Sequence, residues 1–327
     1  MKNNNSPLLQ IDNLQVSIKQ KKRPLHAVRG VSFSIAPSER VCLVGESGCG
    51  KSLTAFSILR LLPEDQFTIK GSIRFNGTDI LKMSLSQMCE IRGQKIAMIF
   101  QEPMTALNPV LKIGFQIVEA ILAHKKTSSK DAKDYAISML KKVGISEPEI
   151  VYNQYPHELS GGLRQRAMIA MALSCNPSLL IADEPTTALD VTIQAQILDL
   201  LRELSISKKL GLLFISHNLG VVAQIAQKVM VMYAGQVVEI SPVKELFTSP
   251  LHPYTKGLLD SVPYGPKGLK TTLSSIPGSV PSLDKIPQGC GFNERCNKTK
   301  EICKKEQPQL REVKKNRKVA CHFPLDS

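Results

Sequence analysis

The sequence predicts an α/β fold on the basis of three observations. Residues 41–44 are an apolar strand that runs through a glycine-rich turn into an amphipathic helix from Ser52 onward. Residues 179–182 are a second apolar strand, and two carboxylates follow it directly. A third apolar stretch, "GLLFIS", ends at His217. In such folds ligands bind at the carboxyl ends of the strands, which is where these polar residues fall.

The bulk composition is that of a globular chain. Its 327 residues are 43% apolar and 21% charged, and they include no tryptophan. The first ten residues are polar, and no apolar run approaches the roughly 18 residues that span a bilayer. We therefore expect two or three domains, in a protein that is either soluble or held at a membrane only by a partner.

The formal net charge is +14, and the two ends of the chain, residues 1–30 and 289–327, supply +10 of it. Such a basic face attracts nucleic acid or anionic lipid. A solvated tail explains the charge equally well, because acids are mixed in and aromatic residues are not interleaved.

The glycine-rich turn matches the pattern G-x-x-x-x-G-K-[ST] in full. Its glycines let successive backbone N–H groups face phosphate oxygens at the start of a helix. Lys51 adds a positive charge at the β- and γ-phosphates, and the Ser52 hydroxyl is a ligand for Mg²⁺. The predicted phosphate loop consists of Gly45, Glu46, Ser47, Gly48, Cys49, Gly50, Lys51 and Ser52.

Two acids and a histidine complete the predicted catalytic set. Asp183 ends its strand where it can hold Mg²⁺ through water, and Glu184 can polarise the water that attacks the γ-phosphate. His217, at the end of the third strand, is a candidate sensor of the γ-phosphate. The alternatives are that the acids cap the next helix and that the histidine is structural.

The segment "ELSGGLRQRAMIAMAL", residues 158–173, offers a second anion site. Ser160, Gly161 and Gly162 open a helix and present free N–H groups to an anion. The chain has no second phosphate loop and no internal repeat. We therefore expect the start of this helix to bind the phosphates of a nucleotide that another subunit holds.

Together these motifs resemble the ABC ATPases, whose signature is LSGGQ; here Leu163 replaces the glutamine. The resemblance implies a RecA-like α/β core with an antiparallel β-subdomain and a helical subdomain. It implies that two subunits clamp ATP between the phosphate loop of one and the signature of the other. It also gives Gln101 of "MIFQEP" a contact to Mg²⁺ and water, and Asp190 a contact to the opposite subunit. The family usually stacks an aromatic ring on adenine near Ile18, which cannot stack.

Three further stretches resemble the ATPase subunits of dipeptide/oligopeptide importers, a resemblance that nickel importers share: "FQEPMTALNP" (100–109), "HPYTKGLLDSVP" (252–263) and "IPGSVPSL" (276–283). It implies a peripheral subunit on the cytoplasmic face of the membrane. The implied partners are a second, different ABC ATPase, two transmembrane permease subunits and an extracytoplasmic substrate-binding protein. The region after Gln101 would dock the permease, with Pro103 and Pro109 holding it in a non-helical path. The transported solute is a peptide, or alternatively nickel or another small solute.

The predicted boundaries place an ABC ATPase domain at residues 1–245, with its helical subdomain at about 87–160, and an extension at 246–327. Within the extension the proline-rich residues 250–288 are expected to be a connector with little regular structure. A cluster held by the cysteines of this extension would lie far along the chain from every phosphate element, so no part in catalysis is expected for it.

The extension carries four cysteines in the pattern C-x₅-C-x₆-C-x₁₇-C: Cys290, Cys296, Cys303 and Cys321. Related importers often end in this way, and in several the thiolates resemble ligands of a [4Fe–4S] cluster, a chemistry that soft thiolates suit. Zinc is an alternative, although its usual C-x₂₋₄-C pair is absent. Unligated or disulfide-forming thiols are the third possibility.

A soluble ABC ATPase that works on nucleic acid is the rival class, and the basic ends would suit it. Such proteins usually carry two cassettes or a long inserted coiled coil, and this chain has neither. We therefore expect no specific nucleic-acid partner.

Overall fold

The computed structural model describes residues 6–187, 189–261 and 276–325. In chain order its strands are β1 (Leu9–Ile18), β2 (Leu25–Ile35), β3 (Arg40–Val44), β4 (Phe67–Phe75), β5 (Thr78–Asp79), β6 (Ile96–Ile99), β7 (Leu179–Asp183), β8 (Gly211–Ser216), β9 (Lys228–Tyr233), β10 (Gln236–Pro242), β11 (Arg311–Lys314) and β12 (Arg317–Val319). Its helices are α1 (Lys51–Ile58), α2 (Leu85–Ile91), α3 (Pro103–Ala106), α4 (Ile113–His124), α5 (Ser129–Lys142), α6 (Pro148–Asn153), α7 (Gly161–Leu173), α8 (Val191–Ser207), α9 (Leu219–Ile225), α10 (Val243–Thr248), α11 (Pro253–Asp260) and α12 (Glu301–Lys305). Among the described residues no helix is both long enough and apolar enough to span a bilayer.

The chain divides by its internal contacts into two units. Unit 1 comprises Met1–Ile35, Arg40–Leu81 and Ile215–Ser327, and unit 2 comprises Ala36–Glu39 and Lys82–Phe214. The C-terminal extension therefore belongs to the same unit as the predicted phosphate loop. The boundaries predicted from the sequence stay predictions.

Unit 1 contains an antiparallel sheet in the order β2-β1-β4-β5, in agreement with the expected β-subdomain. The central strand β1 pairs with β2 from Leu9↔Ile35 and with β4 from Leu9↔Phe75. Alternate residues of β2 are buried near its end, as a sheet with one face on the core requires.

A second set of strands in unit 1 runs in the order β11-β12-β10-β9-β3. Strand β3 is parallel to β9, with Val44 opposite Val231, and β10 is antiparallel to both β9 and β12. The hairpin β11–β12 comes from the C-terminal extension, so the extension adds two strands beside β10. This pairing gives the end of the chain backbone partners in the core of unit 1.

In unit 2, strands β6 and β7 are parallel, with Ile96 opposite Leu179, and every residue of both strands is buried. Strand β6 lies inside the segment 87–160 that the sequence assigns to a helical subdomain, so a strand interrupts those helices. Helix α4 approaches α6 closely because Gly114 has no side chain: a Cβ there would lie 2.2 Å from the Tyr152 ring.

Two predictions from proline positions hold only in part: Pro109 lies in a turn and residues 276–288 contain no helix or strand, as expected, but two other prolines begin helices. Pro103 begins helix α3 and Pro253 begins helix α11, where a non-helical path and a connector with little regular structure were expected. The physical reason is that proline is well tolerated at the first helical position, where its missing N–H would have no intrahelical partner. The His252 side chain accepts a hydrogen bond from the Tyr254 N–H (3.0 Å) and so caps α11. Residues 262–275 of the predicted connector lie outside the described residues.

Candidate functional site

The phosphate loop of unit 1 connects β3 to α1, as the sequence predicts, and the helix begins one residue early, at Lys51. Gly45 has a φ of +155°, and a Cβ on it would lie 2.2 Å from the Met232 carbonyl oxygen. Gly50 precedes the helix in a left-handed conformation, at a φ of 104°. Both positions therefore require glycine, which leaves the loop's backbone free of side chains where it turns toward the helix.

Lys51 is buried and held inside its own loop. Its Nζ donates to the carbonyl oxygens of Gly45 (2.8 Å) and Glu46 (3.0 Å), and it lies 3.8 Å from the Cys49 sulfur. Burial raises the pKa of the Cys49 thiol, and nearby Lys51 opposes that shift. Cys49 therefore serves as a small packing residue under the lysine.

Unit 2 brings Gln101 and Glu184 together. Glu184 Oε2 accepts hydrogen bonds from Gln101 Nε2 (3.3 Å) and from the Thr187 hydroxyl (3.1 Å). Glu184 also has a left-handed φ of 45°, a strained conformation for a residue with a long side chain and one that concentrates at functional sites. Nothing in the sequence predicts this strained backbone conformation of Glu184. Asp183 ends β7 with only 2% of its surface exposed.

The signature residues 160–162 start helix α7, as predicted. The Ser160 Oγ accepts from the Leu163 N–H (3.3 Å) and caps the helix. A Cβ on Gly162 would lie 3.0 Å from Ile193, which follows Asp190. Asp190 in turn caps α8, since its Oδ1 accepts from the Ile193 N–H (2.9 Å). Ser160 and Asp190 each have a local capping role. The contacts of residues 160–162 and Asp190 to a second subunit stay predictions.

His217 follows strand β8 directly and is exposed. The next residue, Asn218, caps α9 by accepting from the Gly220 N–H (2.9 Å). The histidine side chain is therefore presented at the carboxyl end of a buried strand, as the sequence predicts. Its role as a phosphate sensor stays a prediction.

An aromatic residue lies next to Ile18 although Ile18 itself cannot stack on a base. Phe67 is its cross-strand partner on β4, and its side chain is partly exposed. Sequence reasoning missed this residue because the two positions are distant in the chain and only the pairing of β1 with β4 joins them.

All four cysteines of the extension line one small cavity in unit 1, which we call the thiol cavity. His252 and Phe292 line it as well. No disulfide joins the four thiols. Among the described residues no group of three or more His, Cys, Asp and Glu side chains is arranged to hold a metal ion directly.

Burial controls the charge of the groups around the thiol cavity. It raises the pKa of Cys321 to about 11 and also raises that of Cys290, with the other thiols adding to both shifts. It lowers the pKa of His252 to about 3. All three groups are therefore neutral near pH 7, and a metal that binds the thiols must expel their protons.

The extension contacts the phosphate loop in spite of its distance from it along the chain. In unit 1 the Arg295 guanidinium forms an ion pair with the Glu46 carboxylate, at 2.7 Å. These residues are 249 positions apart, and only the fold brings them together.

Two family models match the chain. The model described as "ABC transporter" matches residues 28–187, and the one described as "Oligopeptide/dipeptide transporter, C-terminal region" matches residues 238–303. The first match includes the phosphate loop, Gln101, the signature residues and both carboxylates. The second includes three of the four cysteines of the extension.

Curated relatives match over nearly the whole chain. The oligopeptide transport ATP-binding protein AppD of Bacillus subtilis is 50% identical over 97% of this chain and 96% of its own. The dipeptide transport ATP-binding protein DppD of Haemophilus influenzae is 46% identical over 98% and 96%. Among solved structures the dimeric bacterial ABC transporter cassette MJ0796 is similar, with a TM-score of 0.65 and 26% identity over 72% of this chain and 98% of that one.

Proposed function

Because the chain belongs to the ATP-binding subunits of ABC transporters that import peptides, we propose that it hydrolyses ATP to drive uptake of di- and oligopeptides across the cytoplasmic membrane. The observation that carries this proposal is the near-complete match to named peptide-import subunits at about half identity. The phosphate loop and the Gln101–Glu184 contact supply the chemistry that such a subunit needs.

The proposed roles follow from the chemistry of each group. The phosphate-loop N–H groups and Lys51 bind the ATP phosphates, and the Ser52 hydroxyl and Asp183 carboxylate are oxygen ligands that suit Mg²⁺. Bound Mg²⁺ supplies charge neutralisation on the phosphates. Glu184 accepts a proton from the attacking water, Gln101 orients that water, and His217 contacts the γ-phosphate.

The family implies membrane permease partners and a substrate-binding protein. We place the subunit at the cytoplasmic face of the membrane, where two permease subunits hold it. A second ABC ATPase completes each nucleotide site through residues 160–162 and Asp190, and a heterodimer is the arrangement we propose. ATP binding closes the pair, and hydrolysis reopens it.

The four thiols of the extension fit a [4Fe–4S] cluster, which we propose as their ligand. The fit rests on the donor set: four cysteines without disulfides line one cavity. The sequence lacks the C-x₂₋₄-C pair that zinc sites usually include, which favours a cluster over zinc. Bound there, the cluster would supply a rigid cross-link, or a redox centre, among distant parts of the extension.

Transport is tested by reconstitution. The complete importer, with permeases, both ATPases and the binding protein, is placed in vesicles and supplied with ATP and labelled dipeptide, oligopeptide or Ni²⁺. Peptide uptake that requires ATP supports the proposal. If Ni²⁺ is taken up and peptide is not, the proposed peptide substrate is wrong and the solute is Ni²⁺. Uptake that does not require ATP would refute the proposed function.

Metal content is tested by anaerobic purification followed by assays of iron, acid-labile sulfide and zinc. We expect about four iron and four sulfide per chain and their loss in Cys303→Ser, because that variant removes one buried ligand. Cys89→Ser is the matched control, since Cys89 is exposed and lies outside the extension. If the protein contains zinc and no iron, the thiols form a structural zinc site. If it contains no metal, the proposed cluster is wrong.

A further inference from the structure

Three stretches of the extension converge on one residue of the phosphate loop, Glu46. Tyr254 comes from the stretch "HPYT", Gly278 from "IPGS" and Arg295 from "GCGFNERC". Tyr254 and Arg295 bind Glu46, and Gly278 binds Arg295. The proposed transport cycle assigns no role to these three stretches. Together they surround Glu46, whose carbonyl oxygen is hydrogen-bonded to Lys51.

The central contact is a two-point ion pair. Arg295 donates from one terminal nitrogen to Glu46 Oε2 (2.7 Å) and from the other to Oε1 (3.0 Å). Only 6% of the arginine side chain is exposed, against 30% for the glutamate. Paired, shielded guanidinium–carboxylate contacts of this kind are strong and fix orientation as well as charge. Hydrogen bonding to Glu46 raises the pKa of Arg295, so the guanidinium stays charged.

Other parts of the extension fix the arginine in place. Its Nε donates to the Pro277 carbonyl oxygen (2.9 Å) and one terminal nitrogen to that of Gly278 (3.3 Å). The guanidinium also lies over the rings of Tyr233 and Phe292, at 5.8 and 5.9 Å from their centroids. The position of the Arg295 guanidinium therefore depends on how the surrounding residues of the extension are packed.

Glu46 is held at its backbone as well as at its carboxylate. Its N–H donates to the Tyr254 hydroxyl (3.0 Å), and its carbonyl oxygen accepts from Lys51 Nζ (3.0 Å). One residue thus connects Arg295 to Lys51. A movement of Arg295 shifts the residue to which the phosphate-binding lysine is bonded.

The same segment forms the wall of the thiol cavity. Phe292 and Cys296, the latter next to Arg295 in the chain, both line the cavity. The Cys290 N–H donates to the Cys303 carbonyl oxygen (2.8 Å), and Gly289 has a left-handed φ of 75° that brings it against that carbonyl. A group bound by the thiols would therefore order the backbone that carries Arg295.

We propose that the extension sets the nucleotide affinity of the phosphate loop through Arg295, which acts as a positioning residue on Glu46. The arginine neutralises a carboxylate that would otherwise repel the ATP phosphates, and it holds the loop that presents Lys51. By linkage, nucleotide binding must in turn stabilise residues 290–296. This inference rests on the proposed ATP-binding function.

The first test measures ATP binding by calorimetry on the purified full-length chain. Arg295→Ala is expected to weaken ATP affinity about tenfold, since a buried charged hydrogen bond and a neutralising charge are lost together. In the importer the same variant is expected to raise KM for ATP and to leave kcat nearly unchanged. Lys304→Ala is the matched control, because it removes an ion pair with Glu301 that is exposed on the same extension.

A double variant separates an effect of Arg295 on the charge of Glu46 from a general effect on folding. If Arg295 acts by neutralising Glu46, Glu46→Gln in the Arg295→Ala background restores much of the affinity. If Arg295 only holds the extension together, the double variant binds no better than the single one, and the proposal is wrong. Wild-type protein that binds no ATP would instead refute the proposed function, so the two failures are distinguishable.

A second measurement follows amide hydrogen exchange with and without Mg–ATP. Residues 290–296 are expected to exchange more slowly when wild-type protein binds ATP, and this protection is expected to vanish in Arg295→Ala. If residues 290–296 of the wild type exchange at the same rate with and without Mg–ATP, the proposed coupling is wrong. This readout depends on the backbone and not on turnover.

Discussion

Glu184→Gln is expected to abolish ATP turnover while leaving ATP binding intact. The glutamine keeps the size of the side chain and an oxygen that can accept from Gln101 and Thr187, so the local fold persists. It cannot accept a proton from the attacking water, however, and general-base catalysis of this kind contributes about 10²–10⁴-fold to rates. Loss of turnover on that scale should therefore appear in kcat and not in affinity.

The experiment compares phosphate release by the assembled importer with ATP affinity measured by calorimetry. Glu203→Gln is the charge-matched control, since Glu203 is exposed on α8 of the same unit. Turnover within a few-fold of wild type in Glu184→Gln would show that another group takes the proton. Loss of binding together with turnover would show instead that Glu184 is needed to shape the site.

The strand–turn–helix elements could be predicted because their signals are local. The apolar residues 41–44, the left-handed glycine at 50 and the capping serine at 160 each act on neighbours within a few positions. Strain at Glu184 carries no such signal, since nothing in the neighbouring sequence requires a left-handed glutamate. The α/β class was therefore predictable and the geometry around the carboxylate was not.

The contact between the extension and the phosphate loop was unpredictable for a different reason. Arg295 and Glu46 are ordinary charged residues, and a charge in a mixed sequence is most often solvated. The fold packs the rings of Tyr233, Tyr254 and Phe292, with centroids 4.6–5.3 Å apart, beside that pair. A sequence shows which residues are charged but not which of them become enclosed.

The second large effect is expected at Glu239, a carboxylate of β10 with no exposed surface. Its oxygens accept from the N–H groups of Leu251 (3.0 Å) and His252 (2.8 Å), the residues that lead into α11. The guanidinium of Arg317, from the extension, lies 3.8 Å away. The glutamate thus satisfies two buried backbone donors and balances a buried charge, which joins β10, α11 and β12.

Glu239→Ala is expected to lower the free energy of unfolding by about 3–5 kcal/mol, because it leaves the buried charge of Arg317 without its counter-charge and two buried N–H groups without an acceptor. Glu239→Gln keeps one acceptor oxygen and should lower the free energy of unfolding by less. Urea denaturation of the full chain measures both, with Asp260→Ala as the control for an exposed acid that pairs with Lys256.

The order of these losses decides what Glu239 does. A loss that is large for alanine and smaller for glutamine means that the backbone contacts dominate, whereas equal losses mean that the negative charge opposite Arg317 dominates. A Glu239→Ala variant no less stable than Asp260→Ala would show that neither matters. Since α11 carries the Tyr254 hydroxyl that bonds Glu46, the glutamine variant, if it stays folded, should also bind ATP less tightly. Stability at the end of the chain and affinity at its phosphate loop would then have a common cause.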